Sequence, residues 1–179
     1  KKNVKLLAGK PLLCWTIEEA KKSKYIDKIV LSSEEPSLNK WALKYQIDFH
    51  DRPLSLARDD SPVELVAQDI ISIWPGYDLI LLLQPTSPLR KTEDIDTAIE
   101  LFFKLIDQII SFCYNTPTIK PNGAIYLMTK DKLMAGKDFF NPHEARIYMM
   151  SEERSIDIDT QEEFDKAEKA KNANELASR

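Results

Sequence analysis

Glycine is scarce in this chain, at 4 of 179 residues (Gly9, Gly76, Gly123 and Gly136), against a usual ~7%. No glycine-rich, phosphate-cradling loop is written in it, so an α/β chain built to hold phosphates would lack that segment here. Cysteine is scarcer still. Cys14 and Cys113 have no metal-ligand spacing and each sits in an apolar run, which predicts buried free thiols in a reducing cytosol. His50 and His143 stand too far apart to read as a metal pair, and a Ser–His nucleophile has no support. Positive charge is not in excess: 25 Lys and Arg against 29 Asp and Glu give a net −4, which argues against a nucleic-acid polymer as partner. No apolar run approaches the ~20 residues that span a bilayer, and no signal peptide is visible, so no membrane partner is expected. The opening "KKNVKLL" has no initiator Met and reads as a fragment at that end.

What is present alternates helix with strand. "PLLCWTIEEAKKS" (11–23) has apolar residues at helical spacing with Pro11 in its first turn, "KIVLSS" (28–33) reads as a short strand, and "PSLNKWALKYQ" as a helix. "IDFH" (47–50) is a weaker strand. Ser61-Pro62-Val63-Glu64 spells a capping box opening a helix that Pro75-Gly76 stop. "DLILLL" (78–83) is apolar throughout, as in a central parallel strand covered on both faces. Thr92 caps "EDIDTAIELFFKLI"; "QIISF", "GAIYLM" and "RIYMM" are further strands; and Thr160 with Glu163 forms a second capping box before a last helix whose polar tail frays after Ala170. This order predicts a single domain over 1–179: a three-layer, Rossmann-like α/β fold with an open, mostly parallel sheet flanked by helices.

Ligands of such sheets bind beyond the carboxyl ends of the strands. After "DLILLL" comes Gln84-Pro85-Thr86-Ser87-Pro88-Leu89-Arg90, stiff and polar. It suits a small polar ligand, or equally a rigid turn whose hydroxyls cap the next helix. After "IDFH" comes Asp51-Arg52-Pro53, where Arg52 presents a planar fork to a base or phosphate, or is an ordinary surface arginine. "SIDID" (155–159) alternates like a strand, placing Asp157 and Asp159 on one face roughly 6.5 Å apart. Carboxylates so placed repel unless a cation or hydrogen bonds intervene. Mg²⁺ suits them, since it takes one or two carboxylates and completes its shell with water and phosphates; ordinary surface acids are the alternative.

Taken together, "KKNVKLLAGKPLLCWTIEEA", "DRPLSLARDDSPVE", "LLLQPTSPLR" and "PNGAIYL" followed by "SIDIDT" resemble the CMP-sialic acid synthetase (acylneuraminate cytidylyltransferase) family over nearly all of residues 1–170. The resemblance implies the nucleotide-diphospho-sugar transferase fold. It also implies a nucleotidyltransferase that activates a nine-carbon sialic-type 2-keto sugar acid with CTP, giving the CMP-sugar and pyrophosphate. Asp157 and Asp159 match the pair that binds the catalytic Mg²⁺; Lys2 and Asn3 match the end of the nucleotide loop, Lys2 toward the triphosphate. Arg52 matches the arginine facing cytosine, and Ser61 falls among the nucleotide contacts, although "SPV" departs from the family's small-residue run. Gln84, Asn122, Tyr126, Phe139 and Phe140 match positions that contact or line the sugar site. A cytoplasmic homodimer serving lipopolysaccharide or capsule synthesis is implied too.

Two departures stand out. The family's N-terminal strand and basic phosphate loop ahead of "KN" are missing, in keeping with the glycine deficit. The arm that crosses to a partner subunit is missing between about 113 and 119, where only "YNTPTIK" stands, with Lys120 in place of a usual Arg. The alternatives are a synthetase for the eight-carbon acid Kdo, which "SIDIDT" and "QPTSPLR" match less well, and a non-catalytic nucleotide-binding domain.

Overall fold

The computed structural model describes residues 2–58, 60–105, 108–115, 118–141 and 143–177, with the backbone alone described for 114, 115, 118–120 and 174–177. The chain opens with a single 3₁₀ turn and the two-residue antiparallel strands β1 (Leu6–Leu7) and β2 (Lys10–Pro11), which lead into α1 (Leu12–Lys22). β3 (Val30–Ser33), α2 (Asn39–Tyr45) and β4 (Asp48–Asp51) form a parallel β-α-β unit, and α3 (Val63–Ile73) follows. β5 (Leu79–Leu82), α4 (Thr92–Leu105), β6 (Gln108–Asn115), β7 (Thr118–Thr129), α5 (Lys130–Met134), β8 (Ala145–Met150) and α6 (Gln161–Ala177) complete the order.

The four-stranded sheet runs β5-β7-β6-β8 and is mixed rather than mostly parallel: β7 is antiparallel to both β5 and β6, and only β8 runs parallel to β6. The reason is local. β6 ends at Asn115 and β7 begins at Thr118, with Asn115 paired to Thr118, and so short a connection can only return the chain antiparallel. Residues 116 and 117, where the expected dimer arm would insert, lie outside the described residues. β5 is correspondingly not a central strand. Among the described residues it pairs with β7 alone, and all four of its residues are only half-buried.

Helices close the faces. Ile95, Ala98, Ile99 and Phe102 of α4 pack on Ile109, Ile125 and Leu127, while Leu133 and Phe139 cover Ile110, Phe112, Tyr126 and Met128 from the other side. Cys14 and Cys113 are buried and in no disulfide among the described residues, in keeping with the expected reduced thiols.

Three expected local features resolve differently. Ser61 does not cap α3: its hydroxyl donates to the Ser55 carbonyl at 3.4 Å, Pro62 occupies the cap position, and the Glu64 carboxylate instead accepts from the Phe139 N–H at 2.9 Å. A long-range partner wins over the local box. Thr92 lies inside α4 and bonds Glu19 of α1, while Asp94 reaches back to the Lys91 N–H at 2.9 Å. Residues 155–158 join no ladder, and the Ile158 N–H is taken by the Thr86 carbonyl at 2.8 Å. The box at Thr160 does form: Glu163 accepts from the Thr160 N–H at 2.7 Å, and the Thr160 hydroxyl accepts from the Glu163 N–H at 3.3 Å. α6 continues past Ala170 to Ala177.

Candidate active site

An irregularity between β6 and β7 builds the site. The pairing jumps from Ile110–Tyr126 to Phe112–Pro121, so Ser111 stands opposite residues 122–125 and β7 bows outward. Ser111 holds the bow by donating to Asn122 Oδ1 at 2.6 Å and accepting from the Ile125 N–H at 2.7 Å. At its crest Gly123 has φ +72°, a backbone that L side chains seldom adopt. A Cβ there would lie 2.6 Å from Asp157 Oδ2 and 2.7 Å from Gln84 Oε1. The hydrogen at Gly123 is therefore what lets an acid from one loop and an amide from another meet over β7.

The two loops are fixed by buried polar groups. Arg90, 1% exposed, donates to the carbonyls of Ala124 and Gln84 and to Thr16 Oγ1, which pins the 84–90 loop to β7 and α1. Burial pushes its guanidinium down to about 10, against the pull of Asp94 and Glu19. The acid-bearing loop is held at Ser155, whose hydroxyl accepts from Asn122 Nδ2 at 2.9 Å, and at Arg154, which meets the buried Asp94 at 3.1 Å.

Within this frame the two acids are unlike. Asp157 is half-buried, and burial raises its carboxyl above the ordinary range, reinforced by Asp159 and Glu163 and opposed by the Thr86 hydroxyl and Lys2. Its Oδ1 is sealed from solvent without a hydrogen-bond partner. Asp159 is exposed and pairs with Lys2 Nζ at 2.8 Å. Tyr126 completes the group. Burial, then the charge of Asp157, push its phenol up to about 12, while a hydrogen bond with the Gly123 backbone opposes the rise.

Beside this group lies a cavity of about 280 Å³ lined by Lys2, Asn3, Leu31, Ser32, Ser33, Glu34, Arg52 and Pro85, among others. Lys2 joins the two, since it lines the cavity and bonds Asp159. Arg52 enters the cavity with Nη2 on Glu34 and its Nε buried without a partner. A larger hollow of about 740 Å³, between α1, α2 and the N-terminal turn, has none of the expected site residues in its lining.

The structure thus brings together Asp157, Gln84 and Tyr126 at Gly123, and Lys2, Asn3 and Arg52 around the adjoining cavity. Others it places elsewhere. Asn122 is buried with its amide committed to Ser155, Ser111 and Ala124, so it positions rather than contacts. Phe139 is 0% exposed, a core residue; Phe140 is 39% exposed and meets Tyr126 edge-on at 4.7 Å. Ser61 does not line the cavity. Sequence reasoning passed over Gly123, whose only signal was the Asn-Gly pair, and it gave Thr86 no role toward Asp157. It also missed a hydrogen-bonded chain through the buried His50: Ser32 Oγ with His50 Nδ1 at 2.9 Å and His50 Nε2 with Asp69 Oδ2 at 2.9 Å.

Among the described residues no group of three acids, histidines or cysteines is arranged to hold a metal. The pair nevertheless fits Mg²⁺, which needs only one or two carboxylates, and the buried, unpartnered Asp157 Oδ1 is an oxygen in want of a positive partner.

A synthetase of CMP:2-keto-3-deoxy-manno-octonic acid, solved in complex with CTP, superposes with a TM-score of 0.76 at 12% identity, covering 97% of this chain and 92% of that one. At so low an identity the likeness fixes the class of fold: the α/β architecture that cytidylyltransferases use. The chain belongs to the cytidylyltransferase family, whose model matches residues 1–177. Its curated relatives include the N-acylneuraminate cytidylyltransferase of Escherichia coli O18:K1:H7, 32% identical over 198 residues, 93% of this chain and 47% of that protein. The CMP-N,N'-diacetyllegionaminic acid synthase of Legionella pneumophila is 29% identical over 212 residues, 98% of this chain and 91% of that protein. The chain therefore spans about half of the first relative and most of the second, and the resemblance carried by its motifs holds. Among the described residues no helix is long and apolar enough to cross a membrane.

Proposed function

We propose that this chain transfers CMP from CTP to the 2-hydroxyl of a sialic-type 2-keto sugar acid. The hydroxyl gives up its proton to solvent as its oxygen bonds the α-phosphorus, the bond to the bridging oxygen breaks in line, and pyrophosphate leaves. Little covalent chemistry falls to the protein, which positions the reactants and offsets charge. The observation that carries the reading is the convergence of Asp157 and Gln84 over Gly123, beside a cavity that holds Lys2 and Arg52. Arg52 faces the base, Lys2 and Asn3 face the phosphates, and Gln84 with Tyr126 and Phe140 faces the sugar acid. Asp157 and Asp159 would hold Mg²⁺, which when bound neutralises phosphate charge and favours ionisation of a coordinated hydroxyl.

The proposal includes a cytoplasmic homodimer.

Asp159→Ala tests the core of this. Asp159 is exposed, so the fold should melt unchanged, while pyrophosphate release from CTP should fall at least ~100-fold, the scale of one transition-state contact. The assay uses Mg²⁺ and a panel of neuraminic, legionaminic, pseudaminic and Kdo-type acids, and full activity in the variant refutes the role. Wild-type protein that binds CTP but turns over none of the panel would point instead to a non-catalytic domain.

A further inference from the structure

Lys2 is shared between the two halves of the site. Its Nζ lies 2.8 Å from Asp159 Oδ1, yet the residue also lines the nucleotide cavity with Asn3 and Arg52. The pair is open to water, the side chains of Lys2 and Asp159 being 41% and 75% exposed. The neighbouring carboxylate, that of Glu163, is spent on the N–H groups of Asp159 and Thr160. Among the described residues Lys2 is the one cation paired with Asp159.

The two ends of this lysine differ in freedom. Its carbonyl accepts from the Lys5 N–H at 3.1 Å in the N-terminal 3₁₀ turn, and Leu7, a few residues on, packs in one cluster with Ile158 from between the two acids. The backbone is thus tied to the acid loop, whereas the ammonium rides on a flexible four-carbon stem. An exposed ion pair of this kind holds only weakly. A triphosphate entering the cavity brings several negative charges against the single charge of Asp159, so it draws the ammonium to itself. A divalent cation needs the same Asp159 oxygens and is repelled by the ammonium, so it and Lys2 compete for one carboxylate.

We propose that Lys2 is an exchangeable counter-ion, which guards Asp159 until CTP draws it onto the phosphates and thereby couples nucleotide binding to metal binding. The inference rests on the metal and nucleotide readings of this site. Linkage is reciprocal: if CTP frees Asp159 for the metal, the metal at Asp159 frees Lys2 for CTP by the same factor. The guard keeps the acids from taking up a cation before there is a nucleotide for it to serve.

Two titrations of the whole chain test this, neither of which needs turnover. The first adds Mn²⁺ without nucleotide and follows the free ion by electron paramagnetic resonance, since manganese shares magnesium's oxygen ligands. Lys2→Met should bind Mn²⁺ roughly three- to fivefold more tightly than wild type, the upper range for loss of an exposed ion pair. The second adds CTP in the presence of EDTA, where Lys2→Met should bind roughly tenfold more weakly for want of a charged hydrogen bond. Lys2→Arg keeps the charge and should stay near wild type in both. Lys5→Met removes an equal charge from the same turn, but one that meets Gln161, and should change neither. Mn²⁺ bound no more tightly by Lys2→Met, CTP bound as well by it as by wild type, or the same gain in Lys5→Met each overturns the exchange. Mn²⁺ affinity indifferent to Asp159→Ala overturns the metal reading itself, and wild-type protein that binds no CTP overturns the nucleotide reading.

Discussion

Replacing Gly123 by alanine adds one carbon atom at the point where the acid loop and the 84–90 loop meet. The new Cβ would stand 2.6 Å from Asp157 Oδ2, 2.7 Å from Gln84 Oε1 and 3.1 Å from Asp157 Cγ, whereas ordinary contact begins at 3.4 Å. The two side chains must therefore draw back by about 0.8 and 0.7 Å. The backbone at φ +72° adds its own penalty, about 1–2 kcal/mol for an L residue in the left-handed region. At about 2–4 °C per kcal/mol for a domain of this size, the melting temperature should drop by roughly 2–8 °C. That leaves the protein folded at assay temperature.

Activity should suffer far more. A misplacement near 1 Å costs on the order of 100-fold when positioning supplies the catalysis, and here an acid and an amide of the proposed site move together. kcat/KM for pyrophosphate release should accordingly fall roughly 50–100-fold, while the melt shows a modest shift. A variant with the expected loss of melting temperature but kcat/KM within about threefold of wild type would refute the reasoning. It would show that the meeting of Asp157 and Gln84 over Gly123 is packing alone.

Two further outcomes follow from the same frame. Arg90→Leu leaves the carbonyls of Ala124 and Gln84 without their buried donor, and thermal or urea denaturation should show a loss of about 3 kcal/mol or more. Asp157→Asn bears on pH. A carboxyl raised in the folded state favours folding while protonated, so its contribution grows as pH falls and is lost as pH rises through its folded value. Without Mg²⁺ the variant should therefore melt higher than wild type at neutral pH and match it in acid; with Mg²⁺ only the wild type should gain stability. A variant that melts lower at every pH would show that the ionised acid is stabilising.

How much of this was legible in sequence depends on the range of the interaction. α1 was readable because its apolar residues recur at helical spacing, and the box at Thr160 formed because both partners lie within one turn. The sheet's mixed direction was not, since an apolar strand such as 79–82 looks alike whether its neighbour runs with it or against it. The capping box read at Ser61 failed because Glu64 finds Phe139, 75 residues away, and no local pattern encodes that. The bow at residues 122–125 was hidden for a similar cause. An Asn-Gly pair marks a turn in any sequence, and only the pairing with β6 makes it the crest of a site. His50 was set aside as isolated for want of a nearby metal ligand, yet its partners stand 18 and 19 residues away on separate elements.

The adjacency of Asp157 and Asp159 is resolved by making them unequal. If both were buried, each would raise the other, and protonation of one would relieve the strain. If both were exposed, water would screen them and neither would hold an oxygen in a fixed place. The chain instead buries Ile158 at 2% exposure in the cluster with Leu7, Trp15 and Phe164, which anchors the segment between the acids. It sinks Asp157 against Gly123, Thr86 and Tyr126, and leaves Asp159 outside on Lys2. The lysine offsets charge at the exposed acid and also draws the Asp157 carboxyl back toward ionisation, so one cation from the N-terminal turn serves both. Such an arrangement keeps a carboxylate oxygen in place and short of positive charge, as a phosphate-bound divalent cation requires of its protein ligand.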